Sequence, residues 1–307
     1  MRIVYMGTPD FAVPSLKALV EAGHEVCGVF SQPDKPVGRH QNKLQPTPVK
    51  VCAQAYGIPV FQPETLRDGT ALAQLQELAP DLIVVAAYGR VLPREILELP
   101  AYGCINVHSS LLPKYRGAAP INWAMVNGDK ETGVTIMYMA LELDAGDIID
   151  QVKTPIDPVE EVGVLHDRLA LLGGELLVKV VADLAQGRAT RTPQDPEQVT
   201  YAPMLSRALC PIDWNQSAKD IHNKVRGLTP WPATSTDVLP GDPVKVYAVE
   251  ETGVTTAKVP GTILAANKNG IDIACGDGKV LRILELQAPG SRRMTAAAYL
   301  AGHPIQV

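Results

Sequence analysis

The chain has 307 residues, of which 46% are hydrophobic, 20% charged and 5% aromatic, and its formal net charge is −5 at neutral pH. That length suits two domains, and the apolar share supports a packed, mostly aliphatic core, which excludes wholesale disorder. The acidic balance excludes a strongly basic nucleic-acid coat but leaves room for a local basic patch, and no apolar run reaches the roughly 18–20 residues of a membrane span.

Residues 2–6 read as a strand, followed by a turn at Thr8-Pro9-Asp10. This start is too short in its apolar part for a signal peptide. Residues 14–22 read as a helix, with Pro14 in the first turn and Gly23 after the end. Residues 25–31 form the next strand. Residues 81–87, Asp-Leu-Ile-Val-Val-Ala-Ala, are the continuous apolar run of a strand covered on both faces. A strand at 104–108, a helix at 118–127 and a strand at 134–139 follow. This alternation predicts an α/β fold with a doubly wound, Rossmann-like, mostly parallel sheet.

Val162–Ala185 reads as one long helix, with apolar positions at Leu165, Leu169, Leu172, Leu176, Val180 and Leu184. Residues 186–197, rich in Thr, Pro, Gln and Asp, read as a linker. Beyond them lie short strand-like runs at 244–249, 261–265, 270–274 and 280–286, the pattern of a small β-barrel or sandwich. Residues 206–307 carry 11 Lys/Arg against 9 Asp/Glu. That mild positive balance suits an anionic neighbour, or chance. The expected boundaries are therefore a first domain at 1–188, a linker at 189–205 and a second domain at 206–307.

The five cysteines, at 27, 52, 104, 210 and 275, are scattered and form no Cys-x-x-Cys pair. A disulfide framework is not expected, and a reducing cytoplasm fits. The six histidines show no ligand spacing, so no metal is expected. The first turn lacks Gly-x-Gly-x-x-Gly, and Pro9 stands where a pyrophosphate-cradling turn belongs. Neither a dinucleotide nor a nucleoside triphosphate is expected.

The densest polar stretch in an apolar setting is Asn106-Val107-His108-Ser109-Ser110-Leu111-Leu112-Pro113. Asn106 and His108 are two apart at a strand end, so both side chains share one face and can aim at one substrate oxygen. Asp144 opens a Gly-containing turn within Leu141-Glu142-Leu143-Asp144-Ala145-Gly146-Asp147. Each also has an ordinary reading, as a strand-end cap or an Asp-x-Gly turn. Together, an amide, an imidazole and a carboxylate suit acyl transfer without a Ser or Cys nucleophile. The first two can donate to an oxyanion, and the carboxylate can orient the imidazole and favour its charged form. Cys104, near the start of the strand, reads as core packing.

The longer run from Asn106 through Lys114-Tyr115-Arg116-Gly117-Ala118-Ala119-Pro120-Ile121 resembles the signature of the folate-dependent formyltransferases. Its Arg-Gly-Ala-Ala-Pro-Ile ending resembles the members that act on methionyl-tRNA. Gly7-Thr8-Pro9-Asp10-Phe11-Ala12, Pro46-Thr47-Pro48-Val49-Lys50, Ala87-Tyr88-Gly89 and Thr229-Pro230-Trp231-Pro232-Ala233 are similar to that family in collinear order. The resemblance implies transfer of formyl from 10-formyltetrahydrofolate to the α-amino group of methionyl-initiator tRNA. It implies a tetrahedral adduct, no covalent enzyme intermediate and an OB-like β-barrel in the second domain.

By the same resemblance, Asn106, His108 and Asp144 match the catalytic residues. Ser110, Leu111, Leu112 and Pro113 match a folate-contacting stretch, joined by Gly89, Arg90 and Leu92 and by backbone near 88–92 and 140–144. Arg39, with Lys43 and Lys50 nearby, matches a loop that enters the tRNA acceptor end. Two departures stand out. His40-Gln41-Asn42 carry less positive charge than the family's usual loop, and Met204 stands where the family usually has Lys, with Arg207 the nearest substitute. A monomer is the default. A small amine or water is the rival acceptor.

Overall fold

Leu82–Ala86 is buried at every position, and Ile3, Val4, Tyr5 and Met6 beside it are fully buried. Such strands cannot stand at an edge, and they form the centre of the sheet in the computed structural model, which describes residues 1–37, 43–241 and 243–307. The chain divides into two compact units. The first gathers residues 1–117, 131–154 and 166–202, and the second gathers 118–130, 155–165 and 203–307. The units are thus interleaved in sequence, whereas the sequence reading draws the first domain as an unbroken 1–188.

The first unit is built on a seven-stranded sheet. Its spatial order is Ile148–Pro155, Glu131–Tyr138, Cys104–His108, Leu82–Ala86, Arg2–Gly7, Glu25–Phe30, Val60–Phe61. The last five run parallel. Glu131–Tyr138 runs antiparallel to Cys104–His108, pairing Ile105 with Tyr138 and His108 with Thr135. Chain order reverses between Arg2–Gly7 and Leu82–Ala86. The carboxyl ends there open the crevice where doubly wound folds bind ligands.

The strand Cys104–His108 presents two different faces. Ile105 and Val107 are buried on one, where the helix Val162–Ala185 comes so close that a Cβ on Gly173 would lie 2.9 Å from Val107 Cγ1. Asn106 and His108 take the other face by the period of two.

The second unit holds a six-stranded antiparallel sheet. Its order is Thr234–Thr236, Val244–Thr255, Lys279–Gln287, Gly270–Ala274, Ile263–Asn267, with Met294–Thr295 beside Lys279–Gln287. The helix Ala218–Leu228 packs its Ile221 and Val225 into the same buried cluster as Val246, Ile273 and Leu281. Ser217 starts it, its hydroxyl accepting from Asp220 N at 3.1 Å, a cap worth about 1 kcal/mol. A reading of this region as strands alone misses that helix, although Ile221, Val225 and Leu228 have helical spacing. The short helix Pro120–Val126 also belongs here. Asn122 Nδ2 donates to Gly227 O at 2.8 Å, which draws 118–130 into the second unit.

Candidate active site

His108 is buried at its strand end, and its Nε2 lies 2.9 Å from Tyr115 O. A carbonyl only accepts, so Nε2 carries the proton and donates. Nδ1 is then left with its lone pair, 3.8 Å from Asp144 Oδ2. That gap is too long for a hydrogen bond, so the carboxylate acts as an ion-pair partner once the imidazole is protonated.

Asp144 Oδ2 accepts from Gly117 N at 2.8 Å. The backbone of Asp144 has φ 49°, a left-handed conformation that non-glycine residues rarely take. Two residues on, Gly146 passes so close to Tyr138 O that a Cβ would lie 1.7 Å from it. This tight turn folds the 140–147 loop back, so that Asp144 returns towards His108 although Glu131–Tyr138 runs away from it. The half-buried Asn106 pairs in register with Val85 and Met137, and its carboxamide makes no hydrogen bond among the described residues. Its donors are therefore free to meet a substrate oxygen. The structure brings His108 and Asp144 together and sets Asn106 two residues before His108 on the same strand.

The segment after His108 is held by a dense set of hydrogen bonds. Leu112 N donates to Thr135 Oγ1 at 3.1 Å, and Gln151 Nε2 donates to Leu112 O at 2.9 Å. Tyr115 N donates to Thr200 Oγ1 at 2.9 Å, and Arg116–Gly117 pairs with Tyr201–Ala202 as a short parallel ladder. Ser110 Oγ donates to Lys114 O at 2.7 Å, which commits that hydroxyl to the loop. Burial pushes the Cys104 thiol up to about 12. Neither is an activated nucleophile. Leu112 is buried, while Leu111 and Pro113 are half-buried.

On the far side of the crevice, Ala87 and Gly89 both have positive φ, 46° and 82°, and turn the chain out of its strand. Gly89 is exposed, Arg90 is half-buried with Nε donating to Gln32 Oε1 at 3.1 Å, and Leu92 is buried. The backbone N–H groups of residues 89–92 and 140–144 donate to no group among the described residues.

The expected tRNA-contacting residues are spread out. Lys43 is exposed in a short ribbon that pairs Lys35–Val37 with Lys43–Gln45. Lys50 is committed: its Nζ pairs with Asp34 Oδ2 at 2.6 Å and donates to Gln62 Oε1 at 2.8 Å. Gln62 Nε2 also donates to Asp34 Oδ1 at 2.7 Å, and Gln62 and Lys50 together hold the Asp34 carboxyl below its ordinary range. Arg39 lies outside the described residues.

Sequence reasoning misses Gln194, which falls in the stretch read as linker. Its Oε1 accepts from Arg116 Nε at 3.1 Å and Nη2 at 2.9 Å, and its Nε2 donates to Asp144 O at 2.7 Å and Gly146 O at 2.8 Å. Nothing in a polar, Pro-rich stretch distinguishes a buried contact from a solvated one.

Comparison with known proteins gives one consistent picture. The family model described as formyl transferase matches residues 1–181, and the one described as formyl transferase, C-terminal domain, matches 204–304. A methionyl-tRNA formyltransferase of Trichlorobacter lovleyi is 50% identical over 304 residues, covering 99% of this chain and 95% of that protein. One of Moorella thermoacetica is 50% identical over 305 residues, covering 99% and 97%. Among solved structures, an N-formyltransferase from Helicobacter canadensis in complex with folinic acid and dTDP-3-aminofucose has a TM-score of 0.68 at 19% identity, covering 92% of this chain and 98% of its own. HypX from Aquifex aeolicus in complex with tetrahydrofolic acid has a TM-score of 0.64 at 19% identity, covering 98% and 47%. At these identities the solved structures share the fold.

Proposed function

The chain belongs to the formyl transferase family and, within it, to the methionyl-tRNA formyltransferases, and we propose that Asn106, His108 and Asp144 carry its chemistry. The reaction moves the formyl group of 10-formyltetrahydrofolate to the α-amino group of methionine on initiator tRNA. A C–N bond forms between that amine and the formyl carbon, and the bond from the carbon to the folate N10 breaks. The amine loses a proton and N10 gains one. Attack requires the neutral amine and leaves an alkoxide on the tetrahedral adduct.

In the proposed mechanism the free carboxamide of Asn106 and the Nδ1 side of a protonated His108 donate to that oxygen. One such donor is worth roughly 3–4 kcal/mol in a water-poor site. The Tyr115 carbonyl fixes the imidazole through Nε2, so that Nδ1 is the position that exchanges the proton. Asp144 stabilises the charge that develops there. No covalent enzyme intermediate forms. The free amides at 89–92 and 140–144 hold the polar edge of the pterin, with Leu92, Leu112 and the rest of 110–113 against its apolar parts.

Under the same proposal Arg39, Lys43 and Lys50 serve the tRNA acceptor end, with Lys50 held by Asp34 and Gln62. The first compact unit, which includes residues 166–202, carries catalysis, and residues 206–307 of the second offer a further surface to the tRNA. The enzyme acts as a monomer in the cytoplasm, where translation begins.

The observation that carries this reading is the approach of Asp144 to His108 at the end of the strand that also bears Asn106. Replacing His108 or Asp144 with Ala tests it. Turnover is expected to collapse while tetrahydrofolate binding stays measurable, and normal turnover by either variant would remove that residue from the mechanism.

A further inference from the structure

We propose that Gln194 is a positioning residue for formyl transfer, locking the main chain of the Asp144 turn to the buried guanidinium of Arg116. The proposal rests on the reading that Asp144 supports His108.

The Gln194 carboxamide uses its full capacity. Its oxygen takes two N–H groups from Arg116, and its nitrogen gives one hydrogen to each of the carbonyls of Asp144 and Gly146. Of the common side chains of this length, only an amide meets that demand. A carboxylate would satisfy Arg116 but face two carbonyl oxygens with no hydrogen to give. A methionine would meet neither partner.

The position of these contacts matters as much as their number. Asp144 takes a left-handed conformation, φ 49°, at the point of the turn that Gln194 grips. Its carboxylate is tied to Gly117 N, and its carbonyl is tied to Gln194. Gly117 follows Arg116 in sequence, so the contacts close a ring. It runs from the Arg116 side chain through Gln194 and the Asp144 backbone, then back through the carboxylate to the residue after Arg116. Within the ring the carboxylate has little freedom to leave its place 3.8 Å from His108 Nδ1.

Two further facts make the arrangement more than a surface contact. Arg116 is only 6% exposed, and its other acceptor is Glu142 Oε1 at 3.4 Å, on a side chain open to solvent. A buried guanidinium needs its acceptors, and Gln194 supplies the close ones. Gln194 is itself set by the chain before it. Thr192 pairs with Ile148, with Thr192 N donating to Ile148 O at 2.9 Å and Ile148 N donating to Thr192 O at 2.8 Å. The segment read as linker is thus fastened to the sheet two residues before it enters the site.

The test compares Gln194→Met, Gln194→Glu and Asp144→Ala with the parent in formyl transfer from 10-formyltetrahydrofolate to methionyl-initiator tRNA. The readouts are kcat, both KM values, tetrahydrofolate Kd, melting temperature and the pH profile of kcat. Gln194→Met is expected to lower kcat about 10- to 100-fold, with KM and Kd within about threefold of the parent. The pH profile should change shape, because the carboxylate is no longer held beside the imidazole. Gln194→Glu is expected to lower kcat as much, although it strengthens the pairing to Arg116. It carries the test if the Met variant fails to fold. Parent-like kcat in a folded Gln194 variant, with Asp144→Ala inactive, would overturn the proposal alone. Full turnover by Asp144→Ala would overturn it together with the reading it rests on.

Discussion

Replacing Asp144 with Asn separates charge from shape. The Asn side chain has nearly the same volume, and its amide oxygen can still accept from Gly117 N as the carboxylate does at 2.8 Å. The main-chain contact to Gln194 is untouched. What disappears is the negative charge 3.8 Å from His108 Nδ1, between side chains only 7% and 12% exposed. At that separation, and at the effective dielectric of about 20 that suits such sites, a unit charge pair is worth about 4 kcal/mol. Each ~1.4 kcal/mol is tenfold in rate, so kcat should fall by about 10²- to 10³-fold, the lower figure allowing for residual solvent screening. In the proposed mechanism that charge acts on His108 and not on a substrate, so both KM values should stay within about threefold. Single-turnover formylation with saturating enzyme reads the chemical step directly. A variant that kept kcat within threefold of the parent would refute the electrostatic role, and a large rise in either KM would reassign Asp144 to binding.

Three other outcomes follow from particular contacts. Asn106→Ala should lower kcat by about 10²-fold or more through loss of one oxyanion donor, with an unchanged melting temperature, because the carboxamide makes no hydrogen bond among the described residues; calorimetry beside kinetics checks both halves. Gly146→Ala should cost activity and stability together, since its Cβ would fall 1.7 Å from Tyr138 O and the turn carrying Asp144 must shift; retention of both would mean that the loop tolerates another path. His222 is buried on Ala218–Leu228 with its Nδ1 unpartnered among the described residues, and burial first, then Lys219 and Arg226, push its pKa below the ordinary 6.5, against an opposing pull from Glu251. The unfolded chain therefore takes up that proton first, so stability should fall as pH drops through about 6.5, and a His222→Gln variant should show a flatter thermal-melting profile between pH 7.5 and 5.5.

The parts of the molecule written most plainly in the sequence are those where local pattern and tertiary burial agree. Leu82–Ala86 and Val162–Ala185 are examples: an unbroken apolar run and a regular helical stripe leave each a single consistent packing. Asn106 and His108 are legible for the same reason, because a period of two fixes their shared face. Asp144 is visible as a turn residue, but its approach to His108 depends on the following loop doubling back so closely that Gly146 meets Tyr138 O, which the turn residues alone do not encode. Gln194 is the clearest omission. A glutamine among Thr, Pro and Asp looks solvated until Arg116, 78 positions earlier, is seen to need its oxygen. The helix Ala218–Leu228 is hidden by its charged residues Lys219, Asp220, Lys224 and the buried Arg226, which dilute the apolar spacing of Ile221, Val225 and Leu228.

The most direct test of the whole account is to mix the purified protein with 10-formyltetrahydrofolate and methionyl-initiator tRNA, and to follow tetrahydrofolate release and formyl-methionyl-tRNA together. One tetrahydrofolate for each formylated tRNA is predicted, with no release when the tRNA is uncharged, and with loss of both products in His108→Ala. Tetrahydrofolate release that proceeds without tRNA formylation would contradict the account and make water or another amine the acceptor.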